Sequence, residues 1–334
     1  GIMNFFRKDF FKLKENGTTV GREIIGGVTT FLAMAYILAV NPDILSKCGN
    51  GMTFEAVFTA TAISAGIATL IMAFIANLPV ALAPGLGLNA FFTYTVVMTM
   101  ECSWQFALTA VLVEGIIFIA LSVFGIREAI IKSIPESLKK AVAVGIGLFI
   151  TIIGLVNAGI CTGNTGTIVG FENFNLLHST ALVAVIGLII TVILYILKVP
   201  GAILLGIAIT TIIGLFVPVY QIDAFGVKHA VGFVTSHPGA DWKPVSLPSK
   251  PLFCQFAFRE AFSSGAMIVK FIVVLFTFLF TDLFDTIGTL LGVAEQGNLK
   301  DETGNVKNVK GALLADSIGT VAGACLGTST VTSF

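Results

Sequence analysis

Apolar runs of about 20 residues, the length that crosses a bilayer as a helix, recur along the chain at 24–42, 54–77, 80–99, 104–124, 138–158, 179–198, 201–217, 266–293 and 309–326. Short polar joints separate them. The pattern predicts an all-α polytopic membrane protein with nine spans, and a tenth segment that has begun where the sequence ends at Phe334. Two stretches are expected outside the bilayer: the basic 125–140 joint and the proline-bearing 218–262 segment. Asn41-Pro42 is read as the end of the first span. Residues 1–22 are basic and mixed, and a run long enough to span follows directly, so they read as a cytoplasmic segment rather than a signal peptide.

Composition agrees. Of 334 residues, 56% are hydrophobic and 11% charged, against about 25% charged in soluble domains, which makes lipid the natural solvent. A formal net charge of zero removes the case for a nucleic-acid partner. With the N-terminus in the cytoplasm, the inner joints hold thirteen Lys and Arg, among them Arg7, Lys8, Arg127 and Lys310, and the short outer loops hold only Lys47. That asymmetry fixes the orientation. Cys48, Cys102, Cys161, Cys254 and Cys325 show no C-x-x-C or Cys/His spacing; they read as packing or loop residues, with no metal site and no cofactor expected.

A faint repeat runs through the spans. Thr30-Phe31-Leu32 returns as Thr277-Phe278-Leu279, and I-A-T-L-I-M-A from Ile67 returns as I-G-T-V-A-G-A from Ile318. With seven spans before the second copy, that copy enters the membrane from the opposite side, the inverted repeat of secondary transporters.

Intramembrane charge costs roughly 2.5–3.5 kcal/mol per residue on insertion scales, so each acid in a span is informative. The eighth span carries Asp282 and Asp285, neighbours on one helix face. Two carboxyls this close in low dielectric do not both ionise readily, so one is expected to hold a proton, as a proton-coupled carrier requires. The alternative is that both brace the bundle by bonding to neighbouring helices. In the third span, Pro84, Gly85 and Gly87 interrupt the helix, and such backbone survives at membrane depth only where protein buries it or it lines a cavity. A helix restarting near Gly87 would aim its free amides there, with Asn89 supplying donor and acceptor; a plain proline kink is the alternative. The terminal G-T-S-T-V-T-S-F, with Thr328 and Ser329, is hydroxylated and β-branched, and follows the ninth span as the broken third follows the second. Paired interrupted segments mark transporter binding sites. Glu114 and Asp316 read either as relay groups or as acids satisfied by neighbours.

These residues carry a family resemblance. The stretches F-F-K-L-K-E-N-G-T-T-V, T-T-F-L-A-M-A-Y-I-L-A-V-N-P, L-P-V-A-L-A-P-G-L-G-L-N-A-F-F, S-I-P-E-S-L-K-K-A-V-A-V-G-I-G-L-F-I, T-F-L-F-T-D-L-F-D-T-I-G-T-L-L-G-V-A-E and A-L-L-A-D-S-I-G-T-V-A-G-A-C-L-G-T-S-T-V-T-S resemble the AzgA-like guanine/hypoxanthine/adenine permeases of the nucleobase–cation symporters. The likeness covers nearly the whole chain, weakening over 160–178 and 218–262. It implies a uracil-permease-like fold of fourteen spans in two inverted seven-span repeats, with short strands in the broken third and tenth segments and substrate between them. It divides the chain into an N-terminal segment (1–22), core spans one to four (23–124), gate spans five to seven (125–217), an extracytoplasmic loop (218–262), and core spans eight, nine and the start of ten (263–334). By position, Asn89 and Asp282 would contact a purine, Gly87, Thr328 and Ser329 would line the same site, and Asp285 would carry the coupling proton. The family's tenth-span glutamate falls beyond Phe334, so a C-terminally truncated chain is expected. A homodimer is compatible with the fold.

Two enzyme readings compete. An intramembrane aspartyl protease takes its acids from two helices, one within G-x-G-D, whereas Gly85-Leu86-Gly87 is followed by Leu88. A membrane prenyltransferase would use D-x-x-D for Mg²⁺ and diphosphate, but needs a second Asp-rich motif. Within transporters, the alternative is a same-fold carrier of uracil, xanthine or an anion; the absence of a basic residue from the core spans counts against an anion.

Overall fold

A computed structural model describes residues 10–163, 169–172, 174, 178–240, 243, 245–302 and 304–334; Arg7 and Lys8 lie outside the described residues. In chain order the elements are α1 (Val20–Met34), α2 (Ile37–Ser46), α3 (Phe54–Ile71, extended by a π-helical turn Met72–Ala76), β1 (Leu82–Pro84), α4 (Leu86–Ala90, continuing with π-helical bonding over Phe91–Thr99), α5 (Trp104–Val123), α6 (Ile126–Ser133), α7 (Glu136–Asn157), β2 (Cys161–Thr162), β3 (Gly170–Phe171), α8 (Ser179–Ile196), α9 (Ala202–Phe216), β4 (Pro218–Ile222), β5 (Lys228–Phe233), α10 (Phe258–Ala261), α11 (Gly265–Gln296), α12 (Val309–Leu326) and β6 (Val331–Ser333). Among the described residues, seven helical spans are long and apolar enough to cross a bilayer, and two apolar helices, Leu86–Thr99 and Ala202–Phe216, are shorter. Each expected span has its helix. The first runs further than the sequence suggested: α2 passes through Pro42 to Ser46, with the break moved back to Ala35-Tyr36, and Asn41 is buried rather than terminal.

The chain divides into two compact units, residues 1–24, 37–147 and 248–334 in one and 25–36 and 148–247 in the other. In the first, α12 is the central helix. It crosses α5 at Gly115, where a Cβ would stand 2.7 Å from Val321 Cγ2, and α3 at Gly319, where a Cβ would stand 2.7 Å from Ala68 Cβ. Lipid offers no hydrophobic drive for helix pairing, so close backbone approach through small residues supplies the van der Waals contact instead. An aromatic seam supports it: Phe91 meets Phe278 edge-on at 5.1 Å and Phe106 meets Phe271 at 5.5 Å. Gly115→Val is expected to destabilise the protein by about 1–3 kcal/mol through overpacking; thermal unfolding in detergent measures it, and an unchanged midpoint would mean the two helices separate freely.

In the second unit α8 and α9 cross reciprocally, Gly187 against Thr210 and Gly206 against Thr191. Each threonine hydroxyl is already bonded to its own helix, Thr191 to Gly187 O at 2.8 Å and Thr210 to Gly206 O at 2.6 Å, which hides its polarity at the crossing. Beyond α9 the chain forms the β4–β5 hairpin.

Candidate functional site

The site is built on a two-stranded sheet whose strands come from opposite ends of the chain. β1 and β6 pair antiparallel, with Leu82 opposite Ser333, Ala83 opposite Thr332 and Pro84 opposite Val331. All six residues are buried, and backbone polar groups at membrane depth must find partners within the protein. The outer edges find them in helix hydroxyls. Thr69 of α3 accepts from the Leu82 N–H at 3.1 Å and donates to the Leu82 carbonyl at 3.2 Å; Thr320 of α12 donates to the Val331 carbonyl at 2.8 Å. Thr69 and Thr320 are the matching threonines of the repeated I-A-T and I-G-T motifs. The faint repeat thus has a physical reason: each copy supplies one hydroxyl to the first residue of its own strand.

Around this sheet stand two polar networks. One is an amide chain. Asn89, in the first turn of α4, donates through Nδ2 to Asn41 Oδ1 at 2.9 Å, and Asn41 donates to Thr61 Oγ1 at 2.7 Å and Thr328 Oγ1 at 2.8 Å. Asn89 Oδ1 and Ser329 Oγ are buried with no hydrogen-bond partner.

The other is a cluster of acids about one guanidinium. Glu114 of α5 accepts from the Thr330 hydroxyl at 2.8 Å and neighbours Asp282. Asp282 accepts from Thr286 at 3.2 Å. Asp316 accepts from Arg127 at 2.8 Å. Arg127 also donates to Ser317 Oγ at 2.9 Å and the Leu313 carbonyl at 3.2 Å, lies 3.7 Å from Asp282, and stacks 3.9 Å from the centre of the Phe118 ring. Asp285, one turn along α11, sits apart from that knot. A Cβ on Gly85 would stand 3.2 Å from Asp285 Oδ2 and 3.0 Å from Thr332 Cγ2, so this carboxyl lies against the turn between β1 and α4. Thr289 and Ser333 share a short hydroxyl contact beside it.

Arg127 stands in the basic 125–140 joint, outside the spans read from sequence, yet it is 0% exposed and reaches the acids of α11 and α12. The physical reason is charge. Gly125, with φ +71°, turns the chain at the end of α5, and α6 carries the guanidinium back to acids that cannot remain buried and ionised without a counter-ion. Asn41 and Glu114 also enter the site more centrally than their sequence signals suggested. The residues singled out from sequence are all near the paired strands: Asn89 and Thr328 join through Asn41, Asp282 joins Glu114 and Arg127, Asp285 lies at Gly85, and Gly87 opens α4 with Ile146 against it.

Chemically, unpaired acceptors outnumber unpaired donors in the assembly, where Arg127 Nε and Ser329 Oγ are the buried donors without a bond. Glu114 Oε1, Asp282 Oδ2, Asp316 Oδ1 and Asn89 Oδ1 are buried acceptors without a hydrogen bond. Protons or a ligand bearing N–H groups would satisfy them.

Two broken segments meeting strand to strand at the centre of a helical bundle, ringed by buried acids, are the architecture of a transporter rather than a membrane enzyme. The chain belongs to the permease family Xan_ur_permease, which matches residues 21–334. It is 42% identical to the guanine/hypoxanthine permease PbuG of Bacillus subtilis (strain 168), over 98% of this chain and 71% of that protein. It is 37% identical to the adenine permease AdeP of Escherichia coli (strain K12), over 97% of this chain and 67% of that protein. These relatives bear out the resemblance read from the motifs. The transmembrane domain of the cyanobacterial bicarbonate transporter BicA shares the fold, with a TM-score of 0.58 at 15% identity over 93% of this chain and 74% of that one.

Proposed function

We propose that the protein is a symporter that imports a purine nucleobase, hypoxanthine, guanine or adenine, together with a proton. It works by alternating access in the cytoplasmic membrane with its N-terminus inside. The observation that carries this reading is the surplus of buried acceptors without donors at the β1–β6 junction. A purine presents N–H groups on a planar edge, the complement that Asn89 and Asp282 lack, and Gly87, Thr328 and Ser329 line the approach. Asp285, the acid outside the Arg127 knot, takes the coupling proton. The names of the relatives agree with the substrate class. An anion substrate fits less well, because the buried guanidinium is committed to Asp316 and Asp282.

Uptake of labelled hypoxanthine by cells lacking purine permeases and expressing the intact protein tests this. Accumulation that is competed by guanine or adenine and collapsed by a protonophore is the expected result. Inserted protein that moves no purine would remove the substrate assignment, and uptake indifferent to the protonophore would remove the coupling.

A further inference from the structure

The cysteines are widely spaced in sequence, yet two of them meet. Cys254 and Cys325, the latter in the last turn of α12, are neighbours, and the Cys254 N–H donates to the Cys325 carbonyl at 2.8 Å. Carbonyls in a helix's last turn have no partner within the helix, so Cys254 caps α12 from outside. The neighbouring chain is pressed onto the same helix end: a Cβ on Gly327 would stand 2.8 Å from Leu252 Cβ and 3.0 Å from its carbonyl oxygen. Cys254 holds a left-handed backbone, φ +48°, a conformation that a non-glycine residue keeps where its surroundings fix it. Both cysteines are free, Cys254 exposed and Cys325 partly so.

The 2.8 Å N–H···O=C bond between them holds the two backbones together, and a disulfide closes without backbone movement when the α-carbons stand roughly 4.4–6.8 Å apart. We propose that Cys254 and Cys325 form a reversible dithiol–disulfide pair, a thiol-oxidation site that reacts with small-molecule or protein disulfides and staples the 252–254 turn to the end of α12. The Cys254 thiolate attacks one sulfur of the oxidant's disulfide, giving a mixed disulfide and releasing one thiol. The Cys325 thiolate then displaces the second thiol and closes the bridge. Two protons leave the cysteines, and the two electrons end on the oxidant as its two thiols. The staple fixes the helix end from which Gly327 delivers Thr328, Ser329 and Thr330. This inference stands whether or not the substrate is a purine.

The intact protein in detergent, incubated with excess oxidised glutathione and digested, tests it. The expected result is a peptide pair linked through Cys254 and Cys325 in most molecules, lost on adding dithiothreitol and absent from Cys254→Ser. The oxidised form is expected to melt higher, by about 5 °C, and Cys254→Ser is expected to show no such shift. Two results would overturn the proposal: separate glutathione adducts on the two cysteines, or both remaining as free thiols open to alkylation after oxidation.

Discussion

Arg127→Ala is expected to leave little folded protein. The change removes the cation that bonds Asp316 at 2.8 Å, takes a donor from the Ser317 hydroxyl and the Leu313 carbonyl, which keep their bond to each other, and opens a void against the Phe118 ring. Breaking one partner out of a buried ion pair costs about 3–5 kcal/mol, a large fraction of the roughly 5–15 kcal/mol that keeps a protein folded. A well-packed neutral replacement of both partners is often tolerated, so Arg127→Met with Asp316→Leu is expected to recover much of the loss. Thermal unfolding of detergent-purified variants reads both. If Arg127→Ala melted within a degree of the parent, the guanidinium would not be the counter-ion that holds the acids.

Asp285→Asn and Asp282→Asn are expected to separate coupling from binding. Asparagine is nearly isosteric with aspartate but takes up no proton, so Asp285→Asn should still bind purine while losing all accumulation against a gradient. Its uptake should stop responding to acidification of the outside, which in the parent is expected to increase accumulation. Asp282→Asn replaces a carboxyl oxygen proposed for the purine edge with an NH2 group. Leaving a buried donor without its acceptor costs about 1–3 kcal/mol, which predicts binding weaker by roughly 5- to 150-fold. Equilibrium binding of labelled purine, set beside uptake at two external pH values, distinguishes them. Normal accumulation by Asp285→Asn would move the coupling proton elsewhere, first to Glu114.

The spans were legible because membrane helices announce themselves by length and hydropathy alone, and the two broken segments because Pro84, Gly85 and the hydroxylated 327–333 stretch violate that pattern. The short strands of the third and tenth segments were implied by the family resemblance; their pairing and its register were not readable from the residues themselves. What sequence hid was side-chain direction. Arg127 two residues past a glycine reads as a solvent-facing loop residue under any charge-counting rule. A better signal was available: Glu114, Asp282 and Asp316 in apolar spans demand a cation, and Arg127 is the basic residue next to the end of one of those spans. Asn41 was masked by Pro42, which usually ends a helix but here lies within α2. Cys254 and Cys325 looked unrelated because a loop without regular structure brings one to the other.

The β1–β6 sheet also sets a timetable for the nascent chain. Leu82 faces Ser333 across the pair, so about 250 residues must be made after the first strand before its partner exists. At the roughly 5–20 residues per second of synthesis, this leaves β1 without its partner strand for about 12–50 s. During that interval Thr69 can serve only Leu82, and other backbone groups of the strand have nothing to bond within lipid. The third segment is therefore the part of this protein that must wait for its partner, and the arrival of β6, after the ninth span, is the event that completes it.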